Sequence, residues 1–199
     1  MNYNNFRKSM TVYTAVDENR LKFLNKKVIE VSHIKGCMAE IGVYKGGSSF
    51  VIGSSNPDKI LYSCDSFEGL PELTSEDLAD GNIAYHKKGD FSDTSFEKVK
   101  QFLNPLKNVK VIKGFFPDKD IHKEMYDKTY CFVHIDVDLY KSSKDCLEFF
   151  WPRMEIGGII VTDDRNWVST PGGTKSINEF FKPEEIFDSG VNSYYMIKK

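Results

Sequence analysis

The chain has 199 residues, of which 40% are apolar and 28% charged, a composition typical of one folded domain spanning residues 1–199 rather than of a disordered or fibrous protein. Its 27 basic and 29 acidic side chains leave a net charge of -2, which argues against a nucleic-acid partner. No apolar run approaches the roughly 20 residues of a membrane span, and the polar start lacks a signal-peptide core, so we expect a cytoplasmic protein that acts on a small molecule.

The first predicted element is a helix from about Thr14 to Val31, inside a helical segment covering residues 1–35. Its apolar stripe repeats at helical spacing and consists of Val16, Leu21, Leu24, Val28 and Ile29. We expect the stripe to pack on a sheet edge or on another subunit, so a homo-oligomer is an open possibility.

Strands and helices then alternate along the chain. Apolar strand segments cover residues 36–43, 59–67, 108–116, 130–138 and 155–164. Helical patterns start at about Gly47 and cover Ser95–Leu103 and Ser142–Phe150. Nearly continuous apolar strands in such an alternation predict an α/β fold with a doubly wound, mostly parallel sheet.

The C-terminal part predicts a helix near Thr174–Phe181 and then two short strands joined through Gly190 and Asn192. This antiparallel hairpin brings the predicted sheet to seven strands. The long irregular stretch 68–94 exceeds the usual loop length of about 12 to 15 residues, so we interpret it as a lid.

Four cysteines show no metal-ligand spacing, and we expect them to be reduced core residues: Cys37, Cys64, Cys131 and Cys146.

A glycine-rich turn follows the first strand, in the sequence EIGVYKGGS from Glu40 to Ser48. Ligands of doubly wound sheets bind at the carboxyl ends of the strands, and glycine lets the backbone approach them. The spacing is not GxGxxG, which argues against a dinucleotide. Asp65 ends the next strand about 20 residues later, where a carboxylate can accept both ribose hydroxyls, although an aspartate there is also commonly a cap. Together they indicate an adenosyl ligand.

Carboxylates also follow the last two parallel strands, in HIDVD and TDD. If Asp136 and Asp138 lie on a strand, they share one face about 6.5 to 7 Å apart, with Asp163 and Asp164 about 4.8 Å away on the neighbouring strand. Each close pair repels by about 4 kcal/mol at an effective dielectric of 20, and these strand ends contain no lysine or arginine. They therefore predict a divalent cation such as Mg²⁺, Ca²⁺ or Mn²⁺, although any single aspartate could instead cap a helix.

Other polar residues near these strand ends receive no catalytic role. We expect His134 to be a hydrogen-bonded core residue. His86 lies in the predicted lid and could touch substrate, while Arg165 and Trp167 could line an acceptor pocket or lie in solvent.

These motifs together resemble the class I S-adenosylmethionine-dependent O-methyltransferases of the macrocin and novobiocin type, which methylate sugar hydroxyls on antibiotics. The resemblance covers about Thr14 to Phe181 and is carried by EIGVYKGGSS, DSFEGLPE, KGDFSDT, VIKGFFPD, HIDVDLYKSS, LEFFWPRMEIGGIIVTDD and PGGTKSINEFF. It implies a class I, Rossmann-like methyltransferase fold. It further implies S-adenosylmethionine as methyl donor and an acceptor containing a sugar.

The resemblance also implies residue roles. The residues implied at the cofactor are Glu40, Gly42, Val43, Tyr44 and Ser48 around the methionine part, Asp65 and Ser66 at the ribose, Gly114 and Phe115 at the adenine, and also Asp136. The implied metal ligands are Asp136, Asp163 and Asp164, and the implied general base is Asp138.

Three alternatives remain open at this point. The same cofactor could serve a catechol or polyketide acceptor. The acidic residues could instead hydrolyse phosphate esters with a metal, although no basic residue near those strand ends is placed to hold a phosphate. A nucleoside-binding module without catalysis is the third.

Overall fold

The computed structural model describes residues 13–199, so the part of the predicted N-terminal segment before Tyr13 lies outside the described residues. One seven-stranded sheet carries helices on both faces, as predicted. The helices are α1 (Glu18–Glu30), α2 (Gly47–Ser55), α3 (Phe96–Leu103), α4 (Tyr140–Phe150) and α5 (Pro171–Phe180), and the strands are β1 (Cys37–Ile41), β2 (Leu61–Asp65), β3 (Val109–Lys113), β4 (Tyr130–Ile135), β5 (Met154–Thr162), β6 (Phe187–Asp188) and β7 (Tyr194–Ile197).

The strand order is β3-β2-β1-β4-β5-β7-β6, with the first five strands parallel and the β6–β7 hairpin antiparallel. Alternate residues of each strand point to opposite faces, so Met38 joins the core under α1, α2 and α3 while Ala39 joins the core under α4 and α5. The strand order reverses between β1 and β4: strands β2 and β3 follow on one side of β1, and β4 and β5 follow on the other. Ligands of such folds bind at this reversal of strand order.

The predicted N-terminal helix is shorter than expected, because Asp17 caps it. The Asp17 carboxylate accepts from the backbone N–H groups of Asn19 and Arg20, so the helix begins at Glu18. Leu21 and the next members of the stripe are buried against α2 and the sheet of the same chain, whereas Ile29 is 54% exposed and its inclusion in the stripe was wrong. The stripe therefore gives no evidence for a second subunit.

The glycines of PGGTKS lie inside α5 rather than before it, which the sequence pattern did not predict. A Cβ on Gly172 would lie 2.0 Å from Asp77 Oδ1, and a Cβ on Gly173 would lie 2.6 Å from the Asp164 Cβ. Glycine therefore allows the first turn of α5 to pack directly on these two carboxylates.

The stretch predicted as a lid contains its own structure. Leu70 exchanges backbone hydrogen bonds with Gly89 and Asp90, and Ala79 pairs with Ile83 in an isolated bridge. Asp77 Oδ1 accepts from the N–H of Tyr140 at 2.6 Å, which fixes this stretch to the start of α4. Within residues 13–199, no helix is both long and apolar enough to pass through a bilayer.

Candidate active site

The cleft at the carboxyl ends of the parallel strands has a volume of ≈ 310 Å³. Its position follows from the strand register, because Ile41 is aligned with both Cys64 and Ile135, and Ile135 is aligned with Thr162. The residues that come next form one row across the rim of the sheet, and all of them line the cleft: Gly42, Asp65, Asp136 and Asp163.

The glycine turn, residues 42–47, approaches the cleft with its backbone. Gly42 has φ 89°, and a Cβ there would lie 1.7 Å from the carbonyl oxygen of Asp136. Glycine is therefore required both by the backbone conformation and by the contact between the ends of β1 and β4. Gly46 has φ 90° and occupies the N-cap position of α2, whose buried Ser48 also lines the cleft.

Asp65 fixes this turn to the end of β2. Its Oδ2 accepts from the N–H groups of Val43 and Tyr44, both at 2.8 Å, and its Oδ1 accepts from the N–H of Phe67 at 2.7 Å. A carboxylate has about four lone-pair positions, so Asp65 can still accept from a ligand hydroxyl in the cleft.

The other predicted cofactor residues divide into two groups. Tyr44, Ser66, Gly114 and Phe115 line the cleft, and Gly114 has φ 154° with Ile121 2.8 Å from where its Cβ would be. Glu40, in contrast, is fully buried behind the cleft and absent from its lining. Its carboxylate accepts from Ser49 Oγ and contacts His134, so any effect of Glu40 on a ligand is indirect.

On the acidic side of the cleft, three side chains have donor atoms within 4.8 Å of one another: His134, Asp136 and Asp163. Asp136 and Asp163 line the cleft, whereas His134 is fully buried behind them. His134 Nδ1 lies 2.9 Å from Glu40 Oε1, and its Nε2 lies 3.5 Å from Asp163 Oδ2. Although burial alone would lower the pKa of His134, Asp163 and Glu40 raise it well above its usual value. The two neighbouring carboxylates therefore favour the charged form of the His134 ring.

Arg20 of α1 also reaches this point, 143 residues away in sequence. Its Nη1 lies 3.3 Å from Asp163 Oδ2, and its Nε donates to Asp17 Oδ2 at 2.8 Å. Burial would raise the pKa of Asp163, but His134, Arg20 and Ser193 together lower it. The two strand ends themselves contain no basic residue, as stated from the sequence, but Arg20 arrives from a distant helix and offsets part of their charge.

Asp136 and Asp138 are not on a strand, contrary to the basis of the sequence prediction. The strand β4 ends at Ile135, and Asp138 has φ 63° in a left-handed turn. The carboxylate of Asp164 closes this turn, because its Oδ2 accepts from the N–H groups of Val137 and Asp138 at 2.9 and 3.0 Å. Asp164 thus lines the cleft but stands apart from the group formed by His134, Asp136 and Asp163.

Burial and neighbouring carboxylates disfavour ionisation of the remaining aspartates. Burial, Asp164 and Asp163 raise the pKa of Asp136 well above its usual range. Burial, Asp136 and Asp90 raise the pKa of Asp138 to about 8, and burial and Asp138 raise that of Asp164 to about 8. Clustered carboxyls with raised pKa values are typical of sites that bind cations or transfer protons.

The stretch 68–94 contributes His86 and Phe91 to the cleft lining. His86 Nε2 lies 3.8 Å from Asp138 Oδ1, and its Nδ1 lies 3.5 Å from Asp90 Oδ2. The predicted contact of this stretch with the ligand-binding region is consistent with that geometry, while its movement as a lid stays a prediction.

Residues 7–191 match the family model of the macrocin O-methyltransferases. The chain belongs to this family. Its members are O-methyltransferases, which use S-adenosylmethionine, and the chain is an enzyme of this class. The resemblance and the fold class predicted from the sequence are thereby confirmed, and a phosphoester hydrolase is not favoured.

Two curated relatives of this O-methyltransferase have names that state what they methylate. Demethyldecarbamoylnovobiocin O-methyltransferase of Streptomyces niveus is 24% identical over 188 residues, which cover 88% of this chain and 70% of that protein. The 8-demethyl-8-(2,3-dimethoxy-alpha-L-rhamnosyl)-tetracenomycin-C 4'-O-methyltransferase of Streptomyces olivaceus is 28% identical over 141 residues. That alignment covers 66% of this chain and 53% of the relative, so the chain spans about half of it.

Solved structures share the fold. The crystal structure of a calicheamicin methyltransferase superposes with a TM-score of 0.80 at 16% identity, and it covers 93% of this chain and 80% of the other.

Some residues of the O-methyltransferase cleft were not predicted from the sequence. Arg20 of α1 lines it, and so do residues Thr14–Val16, which precede this helix. Trp167 lines the cleft, as proposed, whereas Arg165 is outside the lining, with its Nε donating to Asn178 and its guanidinium over the Tyr194 ring.

Proposed function

We propose that the chain transfers a methyl group from S-adenosylmethionine to a hydroxyl of a sugar-containing small molecule, with assistance from a divalent cation. One observation carries this proposal: a single cleft joins the glycine turn and Asp65 on one side to a cluster of carboxylates on the other. The two sides suit different chemistry, since the first presents backbone and a carboxylate to an adenosyl ligand and the second handles a cation or a proton.

On the cofactor side, Gly42, Val43 and Tyr44 would contact the methionine part, and Asp65 with Ser66 would bind the ribose. Gly114 and Phe115 would border the adenine, and Ser48 would lie near the methionine part at the start of α2. When bound, S-adenosylmethionine supplies a methyl group on a positively charged sulfur. The backbone contacts of Asp65 hold the turn in place before any ligand arrives, so little ordering is needed on binding.

On the acidic side, the residues present fit a divalent cation, because two carboxylates and an imidazole offer donor atoms within 4.8 Å. Asp136 and Asp163 would hold the cation together with Asp164 or His134. The family resemblance favours Asp164, whereas the side-chain geometry favours His134. Mg²⁺ favours oxygen donors, whereas an imidazole donor would suit Mn²⁺ better. A cation here would supply positive charge that lowers the pKa of a hydroxyl.

Asp138 would take the proton of the acceptor hydroxyl. Its carboxyl lines the cleft, lies outside the proposed metal donors and has a pKa of about 8, close to the range in which a general base works well. With its proton taken by Asp138 Oδ, the hydroxyl oxygen would be able to accept the methyl group that S-adenosylmethionine supplies. The products are a methyl ether and S-adenosylhomocysteine.

The sugar acceptor rests on the names of the relatives, one of which states a substrate that contains a rhamnosyl group. A catechol or polyketide hydroxyl is the alternative acceptor for the same cofactor. Arg20 is a basic residue in the cleft lining, so the family match, and not the lack of a positive charge, disfavours hydrolysis of a phosphate ester.

The purified protein should therefore be incubated with S-adenosylmethionine, Mg²⁺ and a panel of glycosides, nucleotide sugars, catechols and polyketides. We expect S-adenosylhomocysteine and a product 14 mass units heavier only with a sugar-containing acceptor. Turnover of catechols alone would replace the sugar proposal. Phosphate release from esters without S-adenosylmethionine would contradict methyl transfer as the function.

A further inference from the structure

Arg20 places a positive charge on the acidic side of the cleft. Its side chain is 14% exposed, and its Nη1 lies 3.3 Å from Asp163 Oδ2. Burial would lower the pKa of Arg20, but Asp163, Asp17 and Asp136 raise it, so the guanidinium stays charged. The negative charges of both Asp136 and Asp163 therefore stabilise the charged Arg20 side chain.

The oxygen that Arg20 contacts is also one that a cation would need. Asp163 Oδ1 accepts from Ser193 Oγ at 2.5 Å, while Oδ2 faces Arg20 and, at 3.5 Å, His134. A divalent cation beside Oδ2 and a guanidinium at 3.3 Å would repel each other, since both are positive and the site is buried. Binding of the cation therefore favours movement of the guanidinium away from Oδ2.

We propose that Arg20 is a displaceable counter-ion that holds the cation position and moves away when a divalent metal binds, so that Arg20 sets the metal affinity. This inference rests on the metal site of the proposed function. Arg20 acts through Asp163 and is a positioning residue.

The Arg20 guanidinium has other contacts that would stabilise it after it leaves Asp163. Its Nε remains bonded to Asp17, whose side chain is 53% exposed, and its Cζ lies 5.8 Å from the centre of the Trp167 ring. The guanidinium can therefore turn toward solvent and Trp167 without unfolding α1. Metal binding should be visible at this tryptophan.

Calorimetric titration with Mg²⁺ and with Mn²⁺, without S-adenosylmethionine, tests the inference. We expect Arg20→Gln to bind either ion at least tenfold more tightly than the wild type, and Arg20→Lys to bind with intermediate affinity. Arg165→Gln is the matched control, because it removes the same charge two residues from Asp163 but lies outside the cleft lining. An equal gain in Arg165→Gln, an unchanged or weaker affinity in Arg20→Gln, or no metal binding in either protein would overturn it.

A second readout follows the movement itself. In a Trp151→Phe background, which leaves Trp167 as the reporter, Mg²⁺ should change the fluorescence when Arg20 is present and leave it unchanged in Arg20→Gln. The same response in both proteins would also overturn the inference. Titration of the wild-type protein with S-adenosylmethionine separates this inference from the proposed function. If the wild type binds S-adenosylmethionine but the metal test fails, only the role of Arg20 is removed. If the wild type does not bind S-adenosylmethionine, the proposed function is contradicted.

Discussion

Replacing Asp138 with asparagine should make the protein more stable at neutral and alkaline pH while it removes turnover. Burial, Asp136 and Asp90 raise the pKa of Asp138 to about 8, compared with about 3.9 for an aspartate in an unfolded chain. The folded state therefore holds a proton that the unfolded state releases, so this carboxyl lowers stability progressively as pH rises from about 4 to 8. Below pH 4 the effect is absent, and above pH 8 it is complete.

The size of the effect follows from the two pKa values. At pH 7 their difference corresponds to about 4 kcal/mol, and relaxation around a side chain that is 19% exposed would reduce this to on the order of 2 kcal/mol. Asparagine carries no charge and tolerates the left-handed backbone of this position, where φ is 63°. A gain of about 2 kcal/mol would raise the Tm by about 4 to 8 °C in a domain of this size.

Thermal unfolding should be followed in EDTA at pH 5 and pH 8.5, because a bound cation would offset the negative charge. We expect Asp138→Asn to raise the Tm more at pH 8.5 than at pH 5, and the exposed Asp120→Asn to change it little at either pH. A Tm that falls at pH 8.5, or rises equally at both pH values, would refute the reasoning. Retained methyl transfer by Asp138→Asn would separately exclude this residue as the base.

Three further substitutions test parts of the site. Gly42→Ala places a Cβ 1.7 Å from the Asp136 carbonyl oxygen and should lower the free energy of unfolding in urea by about 3 kcal/mol or more. The control Gly81→Ala, where φ is 75° and no atom lies within 4 Å of the added Cβ, should lower it by about 1–2 kcal/mol. Equal losses in the two variants would contradict this reasoning. Asp65→Asn should weaken S-adenosylmethionine binding at least tenfold by calorimetry, and unchanged affinity would exclude it from the cofactor site. Asp77→Ala removes the acceptor for the first N–H of α4 and should lower the free energy of unfolding by about 1–2 kcal/mol. The stretch 68–94 should then be cut faster in limited proteolysis. An unchanged cleavage rate would show that other contacts hold this stretch.

The position of the cleft was predictable because it depends on strand order. Apolar strands that alternate with helices place their carboxyl ends along one rim, and the residue after each strand is then fixed by register. For this reason their common position could be predicted, and the structure places four of these residues in one cleft: Gly42, Asp65, Asp136 and Asp163. Their roles toward a ligand remain proposals.

The orientation of individual side chains was less predictable. Asp164 follows Asp163 directly, yet its carboxylate closes the turn at Val137 because free N–H groups lie there. Glu40 lies within β1, and its side chain enters the core beside His134 instead of lining the cleft. These outcomes depend on local backbone geometry that spacing alone does not reveal.

Long-range contacts were not predictable at all from patterns within a segment. The helical pattern of the first segment gives Arg20 no role, and only the packing of α1 on the sheet brings it to Asp163. Its presence changes the electrostatic argument for a metal, because part of the negative charge is already neutralised in the chain.

Calorimetric titration with S-adenosylmethionine and S-adenosylhomocysteine, each with and without Mg²⁺, tests the central claim most directly. We expect one saturable site for both compounds, with affinity reduced in Asp65→Asn and retained in Asp120→Asn. An absence of binding under both conditions would contradict the assignment of this cleft to methyl transfer.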